Sequence, residues 1–339
     1  MYRKTMKNKE KIFAVAPMMD WTDRHCRYFL RLISASTLLY SEMVTAPAVI
    51  HGSREKLIGF DPVEQPVALQ LGGSDPSQLA QAAQIGEDYG YAEINLNVGC
   101  PSDRVQSGRF GACLMAEPAL VATCVKVMRE AVGIPVTVKC RIGIDDQDSE
   151  VELERFVRTV KEGGCETFIV HARKAWLEGL SPKQNRDVPP LDYGRVYRLK
   201  QNHPELEIII NGGIETLDDA EAHLSRVDGA MLGRAAYHNP YMLAEVDARF
   251  FSKPAIAPTR EEVFERYAAY AERYLREGMK LHHLTRHILG LYHGQPGARA
   301  YRRFLTENSA CHDAGLEVLK ECLERITDTR IHAAPVAAE

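Results

Sequence analysis

Eight short apolar runs, spaced by helical stretches and followed by a wholly helical tail, predict an α/β fold: a (β/α)8 TIM barrel with a small all-helical C-terminal domain behind it. Three observations carry this. The runs are near-continuously apolar, as strands of a parallel sheet covered on both faces should be. Most intervals between them hold about 10 to 15 residues with helical signatures, the pattern of successive βαβ units. No G-x-G-x-x-G turn follows the first run, which weakens the doubly wound open sheet as the competing fold.

The runs are FAVAP at 13–17, LLYSEM at 38–43, VALQLG at 67–72, EINLNV at 93–98, VTVKCR at 136–141, TFIVHA at 167–172, EIIING at 207–212 and GAMLGR at 229–234. Asp75-Pro76 opens a helical segment reaching Gly86, and Pro118 opens another reaching Ala131; proline suits a first helical position because its missing N–H would be an orphan there anyway. A further helix should begin near Leu217. After Phe251 the segment SKPAIAPT, 252–259, holds two prolines and reads as a linker. From Arg260 to about Ile326 the pattern is helical throughout, opened by Thr259 as a cap with Glu261 and Glu262 in the first turn. Residues 1–251 are therefore assigned to the barrel and 260–330 to the helical domain.

At 339 residues, 45% hydrophobic and 26% charged, the chain can bury a substantial core. Its basic start, MYRKTMKNKEKIFAVAPMM, has an apolar stretch broken too soon by Pro17 for a signal peptide, and no run approaches membrane-spanning length. A cytoplasmic, non-membrane protein is expected, acting as a monomer. Cysteines at 26, 100, 113, 124, 140, 165, 311 and 322 show no close CxxC pairing, which argues against a disulfide scaffold, a zinc ribbon or a redox dithiol. They should be reduced. A net charge of −4 gives no global signal for nucleic acid, so any RNA binding must come from a local patch.

The most informative stretch runs from Asn95 to Met115, NLNVGCPSDRVQSGRFGACLM, and sets Cys100 between a glycine and a proline directly after a strand. With no second cysteine or histidine at metal-ligand spacing, metal binding is a poor explanation. A thiol as proton donor or a thiolate as nucleophile remains. In a barrel of this kind the site is built where strands end. Those ends carry Pro17, Met18 and Met19; Glu42; Gln70; Asn95 and Asn97; Lys139 and Arg141; His171 and Arg173; Asn211, Gly212 and Gly213; then Gly233 and Arg234. The glycines after the seventh and eighth strands sit where many barrels bind a phosphate through close backbone approach, with Arg234 as counter-charge. Lys139 has two other readings, a buried ion pair with Glu42 and a Schiff-base lysine.

A cationic surface is also legible. From Lys280 to Arg303 there are Lys280, Arg286, Arg299, Arg302 and Arg303, four histidines and no acid, with Tyr292 and Tyr301 interleaved, leaving −9 for the rest of the chain. Such a run can be a solvated basic helix face, but the complete absence of acids favours RNA binding. A second basic element, His171 to Tyr193, reads from its length and prolines as a long functional loop over the barrel mouth.

In wording and order, NLNVGCP, MDWTDRHCR at 19–27 and FGACLM at 110–115 resemble the tRNA dihydrouridine synthases, most closely bacterial subfamily A, and the resemblance covers Ala16 to about Arg325. It implies flavin mononucleotide, FMN, with Pro17, Met18 and Met19 along the isoalloxazine, Gln70 on its polar edge and Lys139 near N1 and the C2 carbonyl. It gives His171, Asn211, Gly212, Gly213, Gly233 and Arg234 to the ribityl phosphate. An ammonium beside N1 would stabilise the negative charge of the reduced ring. Further implications are NADPH as reductant, hydride to C6 of a uracil, Cys100 as proton donor to C5, and uridines 20 and 20a of the tRNA D-loop as targets. Lys183, Arg186, Arg299 and Arg302 would orient the tRNA, with Asn97 near the target nucleotide. Ala235 and Cys140 depart from the subfamily pattern. Two other readings are a small-molecule flavin barrel of the dihydroorotate dehydrogenase kind, which would not need the basic helical domain, and a non-catalytic RNA-binding barrel, which would not need the strand-end set.

Overall fold

The computed structural model describes residues 11–333 apart from 103, 104, 106, 107, 252, 254 and 255. The basic residues before Lys11 and three of the eight linker residues lie outside the described ones. Eight strands, β1 (Ile12–Val15), β2 (Leu38–Thr45), β3 (Val67–Gly72), β4 (Glu93–Val98), β5 (Val136–Arg141), β6 (Thr167–His171), β7 (Glu207–Asn211) and β8 (Gly229–Leu232), form a closed barrel in chain order. Every neighbouring pair is parallel, and β8 closes on β1 through Ile12 opposite Gly229. This is the TIM barrel expected from the eight apolar runs.

The helices between strands begin where the sequence supplies caps. Asp75 accepts from the Gln78 N–H at 2.9 Å to open Pro76–Asp88, and Ser149 and Thr216 form capping boxes for Glu150–Glu162 and Leu217–Leu224. Pro118 opens Pro118–Ala131. Strand alternation sends successive side chains to opposite faces. The barrel floor is filled by Ala14, Ala16, Leu38, Tyr40, Ala68, Ile169, Ile209 and Met231. Two residues further along several of these strands the inward positions turn polar, so the mouth is chemically distinct from the floor.

Contacts divide the chain in two. One unit runs up to Arg24 and from Ser36 to Gly233; the other holds His25–Ala35 and the chain from Arg234 onward. In the second unit, Thr259 caps Arg260–Arg276 with Glu262 in a capping box. Tyr28 stacks on Tyr270 with ring centroids 3.8 Å apart, Phe29 meets Tyr267 edge-on, and Asp247 accepts from the Ser34 hydroxyl and the Ala35 N–H. Helices Leu281–Thr285, Ala298–Asn308 and Leu316–Ala333 follow. The expectation of uninterrupted helix is corrected between 286 and 297, which is a series of turns: Gly294 and Gly297 take positive φ, and Pro296 cannot donate a helical hydrogen bond. No helix among the described residues is long and apolar enough to cross a membrane.

Candidate active site

Register places the polar inward residues side by side. Gln70 lies opposite Asn95, Asn97 opposite Lys139, and His171 opposite both Arg141 and Asn211. A directional hydrogen-bond chain runs among them. Tyr40 and Thr137 both donate to the Glu93 carboxylate at 2.6 Å, so the Thr137 oxygen accepts from Asn95 Nδ2 at 2.8 Å. Asn95 Oδ1 accepts from Gln70 Nε2 and Gln70 Oε1 accepts from Asn97 Nδ2, each at 2.8 Å. Asn97 Oδ1 then accepts from the backbone N–H of Gly99 at 3.1 Å and of Cys100 at 2.9 Å. A buried carboxylate thus fixes the direction of every amide in turn, and the last one shapes the turn that carries the thiol.

Cys100 is half-buried, and its Sγ lies 3.6 Å from Ser102 Oγ. The far side of its loop is closed by the Ala112 N–H donating to the Cys100 carbonyl at 2.9 Å. Gly111 makes that closure possible with φ of 75°; a Cβ there would come within 2.5 Å of the Cys100 oxygen. Cys113 is half-buried too, and its thiol is raised by burial and then by Glu117; of the fully buried cysteines of the barrel unit, burial pushes Cys124 up to about 11 and Cys140 up to about 12, and raises Cys165 as well. The fully buried ones are inert packing residues.

Lys139 donates from Nζ to Asn211 Oδ1 at 2.9 Å, while Asn211 Nδ2 donates to the Met231 carbonyl at 2.8 Å. The expected alternative of an ion pair with Glu42 is not what forms: the Glu42 carboxylate accepts from the Asp20 N–H. Burial, and then the charge of Arg141, hold Lys139 down at about 8. His171 is held well below the usual histidine range by burial first, then by Arg141, Lys139, Arg173 and Arg186. It is a neutral imidazole ringed by cations.

Gly212 and Gly213 have φ of 108° and 68°, and a Cβ on Gly212 would meet His171 Cδ2 at 2.7 Å. The turn therefore has to be glycine, and it packs its backbone against the histidine. Tyr193 anchors it by donating to the Gly212 carbonyl at 2.8 Å. The following helix is already capped by Thr216, so the Gly-Gly turn itself, rather than the helix end, is what can offer backbone N–H groups to an anion. At the end of β1, Pro17 and Met18 are half-buried and Met19 is 55% exposed, with Met18 tied through its N–H to Thr22 Oγ1 at 2.9 Å. Gly233 ends the barrel unit near Met18, and the exposed Arg234 opens the short helix Arg234–His238.

Gln70, Asn97, Cys100, Lys139, His171, Asn211, Gly212 and Gly213 thus come together in one mouth. Lys183 and Arg186 are exposed on the loop after β6. In the second unit Arg299 and Arg302, three apart on Ala298–Asn308, are exposed on one face. The interleaved tyrosines face inward: Tyr292 and Tyr301 are 1% and 2% exposed, and Tyr301 donates to the Ile288 carbonyl at 2.8 Å. Sequence reasoning missed Glu93, Thr137 and Asn185. The signal for the first two was present as polar residues at every second position of EINLNV and VTVKCR.

Among the described residues no group of three or more His, Cys, Asp or Glu could hold a metal ion. The donors that do converge, an ammonium on an asparagine, a neutral imidazole ringed by cations, a glycine turn and a buried amide chain, suit a planar group with an anionic edge and a phosphate. A closed barrel with a thiol and a cation cluster at its C-terminal mouth has the architecture of a TIM-barrel enzyme. The family model described as Dihydrouridine synthase (Dus) matches residues 14–328, and the chain belongs to that family. It is 57% identical over 314 residues to the tRNA-dihydrouridine(20/20a) synthase of Shewanella oneidensis, covering 93% of each chain. It is 58% identical over 319 residues to that of Escherichia coli K12, covering 94% of this chain and 92% of the other. Among solved structures, morphinone reductase shares the fold with a TM-score of 0.51 and 13% identity, over 73% of this chain and 87% of that one. A 2-naphthoyl-CoA reductase complex gives 0.52 and 11% over 76% of this chain, which spans about half that protein's length, 51%.

Proposed function

We propose that this chain is a tRNA-dihydrouridine synthase that reduces the C5–C6 bond of uridine in the tRNA D-loop, at positions 20 and 20a, with FMN as cofactor and NADPH as reductant. The observation that carries the reading is the placement of Cys100: a thiol held by the amide chain from Glu93, in the turn that follows β4, the strand paired with the one carrying Lys139. When bound and reduced by NADPH, the flavin supplies hydride to C6. Cys100 gives its Sγ proton to C5 and is reprotonated from solvent, so the base gains two hydrogens and NADPH becomes NADP+.

Lys139 as an ammonium lowers the energy of negative charge at N1 of the flavin, and its hydrogen bond to Asn211 aims it. His171, kept neutral, joins Asn211, Gly212, Gly213, Gly233 and Arg234 as the phosphate cradle. Gln70 presents its edge to the ring, and Pro17, Met18 and Met19 flank it. Asn97, with one Nδ2 proton on Gln70, offers the other to the target base. A uracil must leave its stack to enter such a mouth, and the RNA backbone has to be held while it does. Lys183 and Arg186 on the barrel domain, and Arg299 and Arg302 on the helical domain 260–330, serve that purpose. The setting is the cytoplasm, and the working form is a monomer.

The test is to incubate the protein with FMN, NADPH and unmodified tRNA and to map dihydrouridine by position. Product at 20 and 20a is expected. A protein that takes up FMN and is reduced by NADPH yet leaves the tRNA unchanged would overturn the reading, and product at another uridine would overturn the positional assignment.

A further inference from the structure

Arg141 is 4% exposed, and its guanidinium is spent on three backbone carbonyls. Nε donates to Gly99 at 2.9 Å, and Nη1 donates to Lys174 and to Asn185, each at 3.0 Å. Gly99 is the residue before Cys100, whereas Lys174 and Asn185 belong to the long loop after β6. A guanidinium buried without a carboxylate is expensive, and carbonyls hold it without neutralising it. Only arginine has the planar fork that satisfies several carbonyls from one rigid head. The loop it grips is itself closed around Asn185, which is fully buried, accepts from the Trp176 N–H at 2.8 Å and donates to the carbonyls of Trp176 at 2.8 Å and Leu180 at 3.1 Å. Lys183 and Arg186 flank that asparagine in the chain.

We infer that Arg141 is a positioning residue that clamps the turn carrying Cys100 to the loop carrying Lys183 and Arg186, so that ordering of the RNA-facing loop and placement of the proton donor are one event. The clamp lies wholly within the barrel unit. Asn185 is its second component: it touches no residue of the Cys100 turn by side chain, yet it shapes the loop whose carbonyls Arg141 holds. The inference rests on the proposed function for the meaning of the two loops, but not for the existence of the clamp.

The test combines hydrogen exchange with the two halves of the reaction, on the full-length FMN-loaded protein. In Arg141→Met, amides in 95–102 and in 174–188 should both exchange about tenfold faster. Uridine reduction should fall about a hundredfold in kcat, whereas flavin reduction by NADPH stays within about twofold. Arg141→Lys, which keeps the charge but loses the fork, should fall between. Asn185→Ala should speed exchange in 95–102, a segment its side chain does not contact, and this readout serves if Arg141→Met fails to fold. Loosening of one loop alone in Arg141→Met, or an unchanged 95–102 segment in Asn185→Ala, would overturn the clamp. If the unaltered protein makes no dihydrouridine, the functional reading fails while the exchange result still decides the clamp.

Discussion

Lys139 and His171 lie on neighbouring strands of one mouth, and burial and the charge of Arg141 act on both. For histidine the consequence is a ring that stays neutral throughout the neutral range. For lysine it is a charge that is lost near neutrality, since its value is about 8 against an ordinary 10.5. NADPH-driven flavin reduction should therefore decline as pH rises through about 8, and Lys139→Met should flatten that limb while lowering the rate about a hundredfold at pH 7; stopped-flow absorbance reads both. The stability effect has the opposite sign. Between about 8 and 10.5 the unfolded chain binds the lysine proton and the folded one does not, so folding stability gains with pH across that window. Below it the full cost of the buried cation is present. Denaturant melts of the FMN-free protein should show this rise as a difference from Lys139→Met, and an identical pH dependence in the two would contradict the assignment.

At the scale of elements, strands were easier to read than their ends. The apolar runs located all eight strands, because a residue buried on either face of a covered parallel sheet is apolar. What the runs concealed was the inward alternation: Glu93, Asn95 and Asn97 share one face of β4, and Thr137, Lys139 and Arg141 one face of β5. Asn185 could not be found this way, since its role depends on a loop closing on itself and on Arg141. The glycine turn after β7 was legible as a tight turn, but not the reason it must be glycine, which is contact with His171. Gly212→Ala should strain the backbone by about 1–3 kcal/mol and push on the imidazole. Titration with FMN should show affinity reduced about tenfold or more with that variant; unaltered affinity would remove the turn from the site. Loss of the Thr259 cap in Thr259→Ala should cost about 1 kcal/mol by thermal melt without changing FMN affinity.

For the whole molecule, the net charge of −4 conceals a polarised distribution, with an acid-free basic stretch from Lys280 to Arg303. The segment was visible from composition alone, and its five cations are exposed, but the inward turn of Tyr292 and Tyr301 was not, because the tail's packing decides it. Under the proposed function, the part of this stretch in RNA binding is one of charge, not of stacking on those rings. Arg299→Ala and Arg302→Ala should each reduce the slope of log affinity against log salt for tRNA by about 0.7 to 0.9, with NADPH oxidation in the absence of tRNA unchanged. In the proposed function, charge brings the RNA and the barrel mouth acts on one base, and the proposal turns on the sulfur of residue 100. The most direct measurement separates the two half-reactions in Cys100→Ala. Flavin uptake and its bleaching by NADPH should match the unaltered protein, while reoxidation of the reduced enzyme by unmodified tRNA should slow by about a thousandfold; reoxidation at the normal rate, with dihydrouridine formed, would contradict the account at its centre.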